Sequence, residues 1–151
     1  MFELKNLDFI KNRDILDEII NRNSIGVFID CNDEFNDKNK KYIKNALKRL
    51  NKFIKKPKLY IFSKNNNIKL DTFVVYEIVN IYNPKEEYCF LSNCKHHIIL
   101  DTEKSYSMNF CSSIVFQKEY SYAVYGRIKS AKINIIFLNG CLLNKIIQAA
   151  V

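Results

Sequence analysis

Hydrophobic and polar positions along this chain follow two periods, one typical of buried strands and one typical of amphipathic helices. Short apolar runs predict strands at residues 24–30, 58–63, 72–79, 95–100 and 132–138. Apolar positions spaced three and four residues apart predict helices at residues 8–21, 38–56, 84–93, from about 105 onward, and 141–150. Because strands alternate with helices, we expect βαβ units in an α/β, Rossmann-like domain whose mainly parallel sheet has helices on both faces.

The length of 151 residues matches one domain, so we expect residues 1–151 to form a single Rossmann-like unit. Eight apolar residues should share its sheet: Val27, Ile29, Leu59, Ile61, Val74, Tyr76, Ile98 and Ile135. The first residues carry no secretory signal, and no apolar run is long enough to span a membrane. These features predict a cytoplasmic protein without a transmembrane segment.

Cysteine, histidine and glycine usage narrows the chemistry. The five cysteines are odd in number and contain no C-x-x-C pair, which predicts reduced, buried thiols rather than disulfides or zinc ligands. Cys94 and Cys111 in particular fall on apolar patterns. His96 and His97 lie in a predicted strand, so one should point into the core and the other outward. With only three glycines, phosphate-binding glycine loops are excluded, and we predict neither a metal nor a cofactor.

The formal net charge of +8 raises the question of nucleic-acid binding, but 20 of the 24 basic residues are lysine. The densest basic run, residues 38–58, has apolar positions at helical spacing, which predicts an amphipathic helix with a solvated lysine face. Arginine, the usual bidentate phosphate ligand, is nearly absent there. This lysine-rich, arginine-poor pattern disfavours nucleic-acid binding. A basic nucleic-acid-binding domain is therefore only the third hypothesis, after the two given below.

Polar residues follow two of the predicted strands and suggest a ligand site. Ligands of open α/β sheets bind outside the carboxyl ends of the strands. The candidates for such a crevice are Asn32, Asp33, Asp101, Thr102, Ser105 and Tyr106. A helix beginning near Ser105 would also offer backbone amides to an anion. Thr102 or Ser105 could equally cap that helix with no ligand involved.

The segment from Cys94 to Ser107 resembles the donor-site segment of bacterial α-1,2-fucosyltransferases, C-K-H-x-I-I-x-N-S-[ST]-[FY]-S-W-W. Cys94, Lys95, His96, Ile98, Ile99 and Ser105 match without a gap, and Asp101 and Thr102 replace Asn and Ser. Upstream, residues 23–33 occupy the place of the family's S-V-x-V-H-x-R-R-G-D, and residues 58–63 that of its I-F-S strand. The resemblance covers about residues 1–110 and implies the donor-binding half of a GT-B-type glycosyltransferase.

The departures from that pattern matter for activity. Asp30 and Cys31 stand where the family carries the arginines that hold the diphosphate of the sugar nucleotide, and the paired tryptophans are absent. The resemblance therefore implies a glycosyltransferase-like protein that is weak or inactive alone, with a GDP-fucose type nucleotide sugar as ligand. The alternative is a binding or assembly module that pairs with a partner polypeptide supplying the missing acceptor domain.

Overall fold

The computed structural model describes residues 11–30, 36–100, 121–125 and 134–138. The helices are α1 (Arg13–Asn21), α2 (Asp37–Leu50) and α3 (Pro84–Asn93). The strands are β1 (Ser24–Phe28), β2 (Lys58–Phe62), β3 (Val75–Val79), β4 (His96–Ile99), β5 (Ser121–Tyr125) and β6 (Asn134–Leu138).

All six strands join one sheet in the order β3-β2-β1-β4-β5-β6. The pairs β1–β2, β2–β3, β1–β4 and β4–β5 are parallel, and only β6 is antiparallel to its neighbour β5. The chain first builds β1, β2 and β3 in one direction and then places β4 on the other side of β1. The predicted Rossmann-like, mainly parallel α/β sheet is confirmed.

One face of the sheet is covered by α2. Alternate residues of β1 and β2, including Ile25, Val27, Leu59 and Ile61, point to this face because side chains alternate along a strand. They pack against the apolar side of α2, which consists of Tyr42, Ile43, Ala46, Leu47 and Leu50. Leu47 and Leu50 are fully buried. The helical spacing that predicted this amphipathic helix therefore corresponds to a real core.

The opposite face is covered by α1 and α3. Ile19 of α1 and Phe90 and Leu91 of α3 pack against Tyr60 and Phe62 of β2. Gly26 of β1 permits a close approach here, since a Cβ at this position would lie 2.8 Å from the Cys94 sulfur and 2.9 Å from Leu91 Cδ1. Helices thus cover both faces, as predicted.

A buried lysine joins three elements on the α1/α3 face. Lys58 Nζ lies 2.5 Å from Glu18 Oε1 of α1 and 2.8 Å from Glu77 Oε2 of β3. It also sits 5.1 Å from the ring centroid of Tyr60. Burial alone would lower the Lys58 pKa, but hydrogen bonds to the two carboxylates outweigh it and raise the pKa. The same lysine lowers the pKa of Glu18.

Local signals explain where α2 and α3 begin. The Asn36 side chain accepts a hydrogen bond from the Asn39 amide at 3.0 Å, and Asn83 accepts one from the Lys85 amide at 3.0 Å. Pro84 at the first position of α3 lacks the N–H that would have no partner there.

Several predicted boundaries were wrong. The first helix begins at Arg13, so Lys11 and Asn12 lie outside it, and α2 ends at Leu50 well before Pro57. Its continuation folds back in a turn, in which the Phe53 and Ile54 amides both donate to the Leu50 carbonyl. Strand β3 begins at Val75 rather than residue 72 because a bend occupies Phe73 and Val74.

Other differences concern single positions and the end of the chain. Ile29 lies just beyond β1, yet its amide still donates to Phe62 O at 2.9 Å. Strand β5 was not predicted. The helices predicted from about residue 105 and at residues 141–150 lie outside the described residues.

Candidate functional site

The strand order places a topological switch point beside β1. β2 lies on one side of β1 and β4 on the other, and all three run parallel. Ligands of open α/β sheets bind at the carboxyl edge of such a switch point. Asp30 follows β1 there, Ser63 and Lys64 follow β2, and Leu100 follows β4. This carboxyl edge is the candidate functional site.

The six residues predicted from sequence lie in segments that follow β1 and β4. Asn32, Asp33, Asp101, Thr102, Ser105 and Tyr106 are all outside the described residues, as are Cys31 and Cys111. Because β1 and β4 are parallel neighbours, both segments leave the sheet at the same edge. The proximity of these six side chains remains a prediction.

Two adjacent glutamates in the first turn of α3 add charge to this edge. Glu86 and Glu87 are 3% and 6% exposed, so both carboxyl groups are removed from bulk water. The helix leads into β4 and lies antiparallel to the strands, as in a βαβ crossover, so its first turn is at the carboxyl edge. The two neighbours nevertheless have different surroundings.

Glu86 is satisfied by the start of α1. Its Oε1 accepts hydrogen bonds from the Lys11 amide at 2.9 Å, the Asn12 amide at 3.1 Å and Asn12 Nδ2 at 3.2 Å. A carboxylate is favourable at this position because a helix N-terminus carries partial positive charge. Lys11 and Arg13 line a shallow surface pocket of about 410 Å³ here. The amides of Lys11 and Asn12 are already occupied by Glu86, so they do not form an open phosphate cradle.

One carboxyl oxygen of Glu87 lacks a hydrogen-bond partner among the described residues. This oxygen, Oε2, is buried. Burial raises the pKa of this carboxyl to about 7; the positive charge of Lys64 opposes the rise, and the negative charge of Asp30 adds to it. Near neutral pH, the protonated and ionised forms are therefore both populated. Such a group can donate or accept a proton or a hydrogen bond at this edge.

Glu87 was not among the residues predicted from sequence, because an acidic residue in the first turn of a helix is ordinarily explained by the helix dipole. Two neighbouring glutamates after an Asn-Pro start have that conventional appearance. One available signal was their position immediately before the apolar residues of α3, which places at least one carboxyl close to the buried side of the helix.

The prediction that one of the two histidines points outward was wrong. His96 is 6% and His97 is 3% exposed, because they point to opposite faces of the sheet and both faces are covered. Burial lowers the pKa of His96 to about 4, and the positive charge of Lys95 adds to this effect; burial also lowers the pKa of His97 to about 3. His97 Nδ1 is buried without a hydrogen-bond partner in the described structure. Both rings are neutral at physiological pH.

Cys94 is a packing residue, as predicted. It is 2% exposed, lies against Gly26, and burial raises the pKa of its thiol strongly. Cys89 is also buried, and burial raises the pKa of its thiol. Neither thiol has the electropositive, exposed setting of a reactive cysteine. Among the residues that the structure describes, no cluster of three or more His, Cys, Asp or Glu side chains could hold a metal ion.

A search of the described helices found none with both the length and the apolar character needed to cross a bilayer. Comparisons of the chain with protein-family models, with curated proteins and with solved structures found no significant match.

Proposed function

We propose that this chain is a glycosyltransferase-like domain, related to the donor-binding half of α-1,2-fucosyltransferases, that is weak or inactive on its own. The observation that carries the proposal is the ungapped C-K-H-x-I-I match at Cys94–Ile99. The fold supports the proposal because His96–Ile99 forms β4, which pairs with β1 at the switch point. Nucleotides bind at such switch points in Rossmann-like sheets.

The charges at the carboxyl edge support the low activity. Asp30 stands in the place of a family arginine, and Glu87 adds a second carboxyl group nearby. A diphosphate needs cations held in place, and loss of a charge-assisted hydrogen bond weakens binding by about 1.5–3 kcal/mol. Two such losses correspond to roughly two to four orders of magnitude in affinity.

Calorimetric titration with GDP and GDP-fucose tests this proposal. We expect no binding at micromolar concentrations by the unmodified chain. The double variant Asp30→Arg, Cys31→Arg should recover measurable GDP affinity. The matched control is Asp17→Arg, Asn21→Arg, which makes the same change of charge on the exposed side of α1.

The titration results test the proposed low activity and the proposed family resemblance separately. Micromolar binding of GDP-fucose by the unmodified chain, or transfer of fucose to a galactoside, would overturn the inactive reading. Failure of the Asp30→Arg, Cys31→Arg variant to bind GDP while it remains folded would remove the support for a fucosyltransferase-type donor site.

A second candidate, an assembly module that pairs with a separate acceptor-domain polypeptide, is favoured by the edge strand β3. Among the described strands, β3 has a neighbour only on its β2 side. Phe73, Val75 and Tyr82 on and beside this strand are 65%, 62% and 78% exposed. Exposed apolar edges pair readily with other chains. Co-expression with a fucosyltransferase acceptor domain should then yield a complex that Val75→Lys disrupts, and absence of any complex would count against the module.

A further inference from the structure

One surface of the described structure carries a strong positive charge. Residues 37–56 contain nine basic residues and one acidic residue, a net charge of +8 that equals the formal charge of the whole chain. Since the buried side of α2 is apolar, these charges lie on the side that faces away from the sheet. We call this surface, formed by the outer side of α2 and the turn at residues 51–56, the lysine face. Its exposed members are Lys38, Lys41, Lys48, Arg49, Lys52, Lys55 and Lys56.

The lysine face includes a concave part. Lys40, Lys41 and Lys44 of α2 line a shallow pocket of about 420 Å³ together with Lys69, Leu70 and Asp71. Asp71 pairs with Lys44 at 3.2 Å, but its own side chain is fully exposed. An ion pair of that kind contributes little in water. The pocket is therefore lined by more basic than acidic side chains.

Helix stability explains only part of this arrangement. Lys38, Lys40 and Lys41 lie in the first turns of α2, where the helix dipole disfavours positive charge. Lys40, Lys44 and Lys48 follow each other at four-residue spacing, and like charges at that spacing repel. Asp37 in the first turn and Lys48 and Arg49 in the last turn do match the dipole of α2. An anionic partner would relieve the repulsion among the remaining lysines.

We infer that the lysine face docks on an anionic membrane surface. Lysine acts as a compact point charge that attracts a diffuse layer of anionic headgroups, whereas arginine supplies the bidentate contacts used in nucleic-acid recognition. Only one of the nine basic residues is arginine. Phe53 is 57% exposed and lies between Lys52 and Lys55. An aromatic ring among lysines is the composition of an interfacial anchor, in which the ring enters the headgroup region.

Vesicle sedimentation tests this inference on the full chain. We expect binding to vesicles of phosphatidylcholine with phosphatidylserine and little binding to phosphatidylcholine alone. Binding should decline as salt is raised, because the Debye length shortens from about 30 Å at 0.01 M to about 8 Å at 0.15 M. Each lysine near such a surface contributes roughly fivefold, so Lys41→Gln, Lys48→Gln should weaken binding about 25-fold.

The matched control removes the same number of charges from the other side of the sheet. Lys11→Gln, Lys85→Gln, in the exposed residues at the starts of α1 and α3, should change vesicle binding by no more than about twofold. Equal effects of the two double variants would show that net charge alone drives binding, and would overturn the inference.

Phe53→Ala separates a membrane from a nucleic-acid partner. Loss of the inserted ring should weaken vesicle binding by roughly threefold to tenfold, a fraction of the value of a fully buried Phe. The same variant should leave the nonspecific binding of a DNA duplex unchanged. Tighter binding to a DNA duplex or to single-stranded RNA than to anionic vesicles at the same salt would identify nucleic acid as the partner and overturn the inference. Absence of vesicle binding at low salt would also overturn it.

Discussion

The two faces of the sheet are stabilised in different ways. Under α2, the contacts are almost entirely between apolar side chains, such as Leu47 with its neighbours in β1 and β2, and the charges lie outside. Under α1 and α3, three charged residues are buried along with the apolar ones. These are Lys58, Glu86 and Glu87. Helix α2 carries a net charge of +5, whereas α1 and α3 carry −2 and −1.

The two faces should therefore differ in how their stability depends on pH and on the pairing of charges. Apolar contacts such as those of Leu47 do not change with protonation and depend on shape and volume. A face with buried carboxyls and a buried lysine depends on each group finding its partner, because an unpaired buried charge is strongly unfavourable. Glu87, whose second oxygen has no partner, lies on that second face at the carboxyl edge. Substitutions on the two faces should therefore respond differently to pH and salt.

The largest effect should come from the α2 face. Leu47→Ala removes a fully buried side chain and should lower the free energy of unfolding by about 2–5 kcal/mol. Because no ionisable group is lost, the decrease should be the same at about pH 5 and about pH 9. Urea denaturation at both pH values measures it. Leu47→Met, which conserves volume, should lose less than about 1.5 kcal/mol. A strongly pH-dependent loss for Leu47→Ala would contradict the contrast between the faces.

Glu87→Gln should have an effect that depends on pH. The folded-state pKa of about 7 is above the usual 4.5, so the folded protein holds a proton that the unfolded chain releases between these values. Stability is therefore lost as pH rises from about 4.5 through about 7, and the loss is complete above it. A neutral glutamine avoids this loss, so at about pH 9 the variant should be more stable than the parent by roughly 3 kcal/mol.

Glu86→Gln is the control for that measurement. It weakens the hydrogen bonds to Lys11 and Asn12 at the start of α1 and should destabilise by about 0.5–1.5 kcal/mol. Comparing each variant with the parent at the same pH cancels the effects of the two buried histidines. Stabilisation by Glu86→Gln, or destabilisation at high pH by Glu87→Gln, would reverse the roles assigned to the two glutamates.

Lys58→Met tests the buried ion pairs of the α1/α3 face. The change leaves Glu18 and Glu77 without their shared partner, but their side chains are 34% and 38% exposed, so water recovers part of the loss. We expect destabilisation of about 1–2 kcal/mol, less than for a fully buried pair. Thermal unfolding at low and high salt measures it. An unchanged or raised midpoint would mean that the methionine packs as well as the ionic group.

Lys38→Glu should give the smallest effect, a slight stabilisation. It replaces an exposed lysine in the first turn of α2 with a carboxylate that the helix dipole favours. The expected stabilisation is about 0.3–1 kcal/mol at low salt and less at high salt. Lys38→Gln, which removes the positive charge without adding a negative one, should give about half of that stabilisation. Destabilisation by both variants would show that the lysine contributes to the fold, and would weaken the argument that the lysine face exists for a partner.

The parts of the fold that were predictable are those with a strong local cause. Strand β2 and helix α3 match their predicted ranges closely, because a bounded apolar run and an Asn-Pro start are unambiguous signals. The end of α2 was not predictable from periodicity, since Phe53 and Ile54 continue the helical spacing while the chain turns back at Leu50. Strand β5, of sequence SYAVY, is short and follows a region without clear punctuation.

The candidate site was predictable only as a location. The alternation of strands and helices already implied that the segments after β1 and β4 start from the carboxyl edge of the sheet, and the strand order agrees with this. The environment of Glu87 was not predictable, because burial and the charges of Asp30 and Lys64 arise from residues distant in sequence. The burial of both histidines, in contrast, follows from the helices that the sequence already predicted on both faces of a mainly parallel sheet.

The position of β4 also has a consequence for the order of folding. Strands β1, β2 and β3 follow one another within residues 24–79, but β4 must return to the far side of β1. The hydrogen bond from the Lys95 amide to Ser24 Oγ, for example, joins residues that are 71 positions apart. Contacts so distant in sequence carry a larger loop-closure penalty. We expect pulsed hydrogen exchange during refolding to protect the amides of β2 before those of β4, and simultaneous protection would refute this order. The switch point between β1 and β4 would then form after β1 has paired with β2, so a chain interrupted before residue 95 would lack the strand that completes the candidate site.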